Sequence, residues 1–298
     1  MLWVIFASLS AIFESFRYIL LKKTVITNIH QLTSHMYFLS GVLMLFFSWL
    51  IGFPSLNSYF WITFITVLLL NALAVPMYLK SIQISEVSLV VPLFSFGAIF
   101  SIFLSFLLIQ EIPSLIGIIG VLLICFGSYV LNSPFEKNSR FEPLKQLLVS
   151  RANILMLISV LITSIITIYS KVLVQQSDVI FGTALVYLGL SLFFYSFGFR
   201  KSFHRDYSFD KRELILGENK PNKSFQAIFF LSVLLVLGVI TRNLALILQQ
   251  VSYVMAFRSI SIIFSILLGI ILLKEVKTQG KGFAIPIMGL GLVLVAFV

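Results

Sequence analysis

Residues 85–111 read SEVSLVVPLFSFGAIFSIFLSFLLIQE, and residues 249–275 read QQVSYVMAFRSISIIFSILLGIILLKE. Laid over one another at an offset of 164 residues, they align without a gap and share eleven identities in 27 positions. Any two apolar helices share some Ile, Phe and Leu, so the polar matches carry the weight. These are Ser88 with Ser252, Ser95 with Ser259, Ser101 with Ser265, and Glu111 with Glu275. A chain that repeats itself in this way has to be read as two copies of one unit.

Working outward, the register nearer the start of each half is 149 residues, pairing Ser10 with Ser159 and Lys22 with Lys171. The difference fits an insertion within RKSFHRDYSFDKRELILGENKPNK at 200–223. Apolar runs of spanning length fall at about 2–21, 32–52, 59–80, 87–109, 113–131, 153–174, 180–199, 226–250, 253–273 and 282–298. Turn signals rather than period-2 alternation separate them, and backbone in hydrocarbon must satisfy its own hydrogen bonds, so each run is expected to be a helix. The expected fold is an all-α membrane protein of about ten transmembrane helices. Residues 1–134 form one five-helix repeat, 135–152 a basic connecting loop, and 153–298 a second repeat with a basic insertion at about 200–225. Five spans is an odd number, so the second repeat enters the membrane from the opposite face. Secondary transporters with inverted repeats place a substrate site near the midplane, between the halves.

Composition agrees with a lipid environment: 59% apolar, 11% charged, and a mean hydropathy of +1.07 over 298 residues. A soluble fold carries about 25% charged residues. The single cysteine, Cys125, lies within an apolar run, so it has no partner for an intramolecular disulfide and no Cys/His cluster for a metal. The first apolar run holds Glu14 and Arg17 and lacks a basic leading segment and a small-residue cleavage pattern, and it reads as a retained span. Gly97, Ser101 and Ser105, with Ser261, Ser265 and Gly269 in the other half, recur every fourth position. Small residues let helices approach in lipid, so each set predicts a packing seam.

Of the 21 Lys and Arg, seventeen fall in the odd-numbered connections and one, Lys171, in the even-numbered ones. The positive-inside rule then predicts a multi-pass protein of the cell membrane with both termini outside. The net charge of +10 has the same origin, and anionic lipid at the basic loops is its expected partner rather than nucleic acid.

The residues also resemble a family. A Lys closes the first helix of each half (Lys22, Lys171). It is followed by EVSLVVPLFSF…LLIQEIPSLIGIIGVLLICFGSYVL in one half and QVSYVMAFRSI…ILLKEVKTQGKGFAIPIMGLGLVLV in the other, with spaced glycines at Gly117, Gly120 and Gly127. Order and duplication together resemble the EamA-type ten-helix transporters of the drug/metabolite transporter superfamily, over nearly the whole chain. The resemblance implies an exporter of small metabolites and cytoplasmic termini, the reverse of the charge count. It makes Glu111 and Glu275 family markers at helix ends. Many relatives carry Trp eight residues before the first-helix Lys; here Glu14 stands there. That spacing is similar to the small multidrug-resistance transporters, in which the acid is the proton and substrate site.

Ionisable groups inside a span mark candidate sites. Glu14 and Arg17 are three residues apart on one helix face, either as a mutual ion pair or as a substrate site. If Glu14 stands free of Arg17, it can exchange a proton and couple transport to a gradient; Arg17 opposes that. Arg242 lies eight residues from Gln250, about 12 Å deep at ~1.5 Å per residue, which is too deep for comfortable snorkelling. Arg258 sits shallower in its helix and can snorkel. By the repeat offset their counterparts are Tyr78 and Phe94. An excess of buried arginine suggests an organic anion or zwitterion as substrate, because guanidinium offers a fork to carboxylate or phosphate. Asn71, Tyr78 and His35 are further polar candidates, for packing hydrogen bonds or for substrate.

No GxGxxG, GxxxxGK[ST] or HExxH occurs, so neither an enzyme nor a cofactor is expected. The reading that follows is a secondary active or facilitative transporter working by alternating access. A flippase for a lipid-linked headgroup and a non-transporting membrane scaffold are the alternatives, and oligomeric state stays open.

Overall fold

The computed structural model describes residues 1–23, 29–85, 90–132, 150–202, 221–273 and 283–298. Glu275, Ser88 and most of both basic loops lie outside these residues. The described residues form ten helices and no strand: α1 (Leu2–Lys23), α2 (Ile29–Ile51), α3 (Ser58–Ile84), α4 (a 3-10 turn Val91–Ser95 running into Phe96–Ile109), α5 (Leu115–Asn132), α6 (Arg151–Gln175), α7 (Phe181–Ser202), α8 (Pro221–Leu248), α9 (Val251–Phe257 and Ile260–Leu273) and α10 (Ala284–Ala296). Each sits where an apolar run is expected. Among the described residues six helices, α1 to α4, α6 and α8, are long and apolar enough to cross a membrane. Leu115–Val130, Phe181–Ser196, Val251–Ser265 and Ala284–Ala296 are apolar but shorter.

Large apolar side chains cover the outside, and the mainly apolar interior carries small polar residues at the helix contacts. Phe46, Trp49, Trp61, Phe103, Leu107, Phe126, Leu192 and Phe230 are exposed on the rim, whereas serines such as Ser15, Ser40, Ser101, Ser105, Ser159, Ser164, Ser232 and Ser265 are fully buried between helices. Small hydroxyl residues at helix contacts permit close approach, and exposed aromatics suit acyl chains.

Packing follows a plan. α2 packs on α7, α5 on α10, α1 on α8 and α3 on α6; next in extent come α1 with α9 and α4 with α6, then α4 with α9, α2 with α8 and α3 with α7. Exchanging the halves, α1 for α6 through α5 for α10, returns the same set. The hydrogen bonds obey the same exchange. Ser10 Oγ donates to the Gly238 carbonyl at 2.8 Å, and Ser159 Oγ to that of Ala74 at 3.2 Å. Ser15 Oγ donates to the Ser261 carbonyl and Ser164 Oγ to that of Gly97, both at 3.1 Å. Gly97, Ser101 and Ser105 are buried, and the seam of α4 rests at Gly97 on Val160 and Ser164 of α6 and on Met255 of α9. The surroundings of Gly269 lie outside the description.

Two features depart from uniform helices. α4 opens as a 3-10 turn over Val91–Ser95, where Pro92 removes a donor, and α9 breaks at Arg258–Ser259. Short-range bonds hold that break: the Ser259 N–H donates to Ala256 O and that of Ser261 to Arg258 O, both at 2.9 Å. The repeat register places the two irregularities opposite one another in the alignment.

Candidate functional site

A pocket of about 80 Å³ lies between α1, α2, α3, α4, α6, α7, α8 and α9. Glu14, Arg17, Asn71, Tyr78, Arg242 and Arg258, the six candidates of the sequence, all line it. His35 does not; it is exposed and its Nδ1 lies 2.7 Å from the Gln31 carbonyl one turn back.

Charge is concentrated at one wall. Glu14 and Arg17 face the pocket from adjacent turns of α1, and Arg17 Nη2 donates to Glu14 Oε2 at 2.8 Å. Arg258 Nη2 stands 3.5 Å from the same oxygen and donates to the Tyr18 hydroxyl at 3.2 Å. Its guanidinium carbon lies 4.6 Å from the centre of the Phe94 ring, a cation–π contact. Arg258 therefore does not snorkel: the helix break turns it inward, and its side chain is only 12% exposed. Tyr78 accepts from Arg17 Nη1 at 2.8 Å. Asn71 Nδ2 donates to the Val67 carbonyl on its own helix at 2.8 Å.

Arg242 differs from the other two arginines. Among the described residues it has no ion pair and no hydrogen-bonded side chain, and its Nε is buried without a partner. Arg258 Nε and Nη1 are likewise buried and unpartnered. Buried N–H groups left in this way are costly, which points to a group the pocket takes up.

The other ionisable pair of the interior serves structure. Lys171 Nζ bonds Glu111 Oε1 at 2.5 Å and the Gln249 carbonyl at 2.8 Å, while Glu111 Oε2 accepts from the Val251 N–H at 2.9 Å. Gln110, in the left-handed region at φ 55°, ends α4 and turns Glu111 toward that contact. Glu111 thus ties α4 to α6 and to the first turn of α9. Lys22 Nζ donates to the carbonyls of Ile82, Gln83 and Ser85 at the end of α3.

The sequence profile of the EamA-like transporter family matches residues 1–133 and 150–297, nearly the whole chain. The chain belongs to the EamA-like transporter family. As a member it is a multi-pass membrane transporter. No curated protein matches it. A solved structure described only as "Crystal structure of protein" superposes with a TM-score of 0.71 at 11% identity, covering 99% of this chain and 97% of that one. That likeness shows a shared fold.

Within this EamA-like transporter the pocket also holds residues that no sequence signal singled out. Tyr37 and Tyr187 line it and meet across the α2–α7 contact with ring centres 5.0 Å apart, and behind the wall Tyr18 stacks on the lining residue Phe94 at 5.7 Å. Aromatic residues make up 15% of the chain, so their types alone marked nothing. The repeat register did contain a signal. Thr163 and Ile166, the counterparts of Glu14 and Arg17, line the pocket as well, as do Val75 with Val239 and Asn71 with Leu235.

Proposed function

We propose that this transporter moves a small organic anion by alternating access, holding it in the central pocket with Arg242 as the principal anion contact. The observation that carries the reading is the half-buried guanidinium of Arg242, which lines the pocket with its Nε buried and unpartnered and, among the described residues, with no acidic partner. An anionic substrate supplies the missing partner, and a planar fork suits carboxylate or phosphate. A zwitterion fits less well, because Glu14, the carboxylate that would receive its ammonium group, already faces Arg17 and Arg258.

The chain is read as two inverted five-helix repeats around this pocket. Support comes from the gapless alignment at offset 164, the contacts that survive exchange of the halves, and the matched serine–carbonyl hydrogen bonds. Pairs of repeat-related residues lining the pocket favour a site on the axis relating the halves, where rocking exposes it to either face. The loop charges favour both termini outside, and the family likeness favours export. Glu14 serves as a counter-ion rather than a proton carrier, so an imposed pH gradient is expected to leave uptake unchanged.

Uptake and counterflow in proteoliposomes against amino acids, organic acids, sugar phosphates and organic cations test this. Movement of one or more organic anions, without dependence on a proton gradient, is expected. Movement of cations alone would contradict the anion reading, and movement of lipid-linked solutes alone would replace it with a flippase.

A further inference from the structure

The charges facing the pocket do not balance. Among the described residues one carboxylate, Glu14, stands against three guanidiniums, Arg17, Arg242 and Arg258, which leaves two positive charges in excess, and no other acidic side chain of theirs lines the pocket. The two excess charges are distributed unevenly. Arg17 is satisfied by Glu14 Oε2 and the Tyr78 hydroxyl, both at 2.8 Å. Arg258 reaches Glu14 only at 3.5 Å and keeps Nε and Nη1 unpartnered, and Arg242 keeps its Nε unpartnered. The unmet demand therefore sits on α8 and α9, one guanidinium each.

We infer that the pocket selects a divalent organic anion, carrying two carboxylates or one phosphate, that bridges Arg242 and Arg258. In the empty pocket Glu14 acts as a resident counter-anion that the substrate displaces from Arg258. This deepens the anion-transport reading above and rests on it. The electrostatics favour charge matching: in a poorly solvated pocket a monovalent anion leaves one guanidinium uncompensated, whereas a divalent one neutralises both. The same balance gives the cycle a release step. When the anion departs, Glu14 returns to Arg258, so that guanidinium is never left without an anion. Arg17 holds Glu14 at 2.8 Å throughout, keeping it within reach of Arg258.

The test compares probes that differ by one charge at nearly constant shape: succinate against succinamate, and glycerol 3-phosphate against its methyl ester. Both pairs are used in chloride-free buffer with the full-length protein. Binding is read as thermal stabilisation of the purified protein and transport as counterflow in proteoliposomes. The divalent member of at least one pair should act at concentrations at least about tenfold below its monovalent mate, the factor that one lost charge contact commonly brings. Which pair responds separates dicarboxylate from phosphate. Arg242→Ala and Arg258→Ala should each erase the preference, and Glu14→Gln should tighten divalent binding, slow counterflow and admit the trivalent tricarballylate. Should Glu14→Gln fail to fold, the wild-type charge pairs and the two arginine variants carry the test. Monovalent mates that bind as well as divalent ones, or a preference that survives both arginine variants, would overturn the divalent assignment while leaving anion transport standing. No organic anion bound or moved would overturn both.

Discussion

α1 and α6 occupy corresponding places in the two halves, yet they agree where they pack and disagree where they face the pocket. On the packing side, Ser10 and Ser15 of α1 match Ser159 and Ser164 of α6, each bonded to a carbonyl of the equivalent neighbouring helix. On the pocket side, Glu14 and Arg17 stand where α6 has Thr163 and Ile166. The same contrast recurs between α3 and α8, with Tyr78 against Arg242, and between α4 and α9, with Phe94 against Arg258. The same serine–carbonyl packing occurs twice, because small residues at a seam admit few replacements. The proposed binding of one anion needs no such symmetry, and the pocket's charged side chains come from α1, α8 and α9.

This contrast can be challenged by pairing equivalent substitutions. The largest difference is expected in the pocket. Glu14→Ala leaves Arg17 and Arg258 facing one another without a carboxylate and should cost about 3–5 kcal/mol, against less than about 1 kcal/mol for Thr163→Ala, whose hydroxyl bonds only its own helix at 2.7 Å. Thermal unfolding of the two purified variants measures the gap, and equal losses would erase the distinction between the walls.

An intermediate effect is expected at the α5–α10 seam. A Cβ on Gly291 would lie 2.5 Å from the Gly120 carbonyl and 3.0 Å from the Ile124 nitrogen, both backbone atoms with little freedom to yield, whereas Gly289 has nothing within 4 Å. Gly291→Ala should therefore lose about 1–3 kcal/mol and Gly289→Ala almost nothing. The smallest effects should be equal: Ser15→Ala and Ser164→Ala each remove one interhelical hydrogen bond and should each cost about 0.5–1 kcal/mol. A marked inequality between them would show that the seams are not equivalent.

Much of this could be read before any coordinates. Apolar length located the ten helices of the described residues, because spanning runs leave little choice of structure, and the gapless match of Ser88–Glu111 with Ser252–Glu275 suggested a repeat. Glu14, Arg17, Asn71, Tyr78, Arg242 and Arg258 were legible because polar groups are expensive in an apolar helix; that they line one pocket is geometry the sequence could not supply. The break at Arg258–Ser259 was hidden, since no Gly or Pro marks it, and with it the inward turn that removes Arg258 from the bilayer edge. Tyr18, Tyr37 and Tyr187 were hidden for another reason: their value lies in where three separate helices bring them.

The central claim is that the uncompensated guanidinium of Arg242 holds the transported anion. The most direct test compares initial rates of organic-anion uptake by proteoliposomes carrying wild type, Arg242→Lys and Arg242→Ala, each first shown to unfold at a comparable temperature. Arg242→Ala should abolish uptake and Arg242→Lys should retain a fraction of it, the charge being kept and the fork lost. Undiminished uptake by correctly folded Arg242→Ala would contradict the claim.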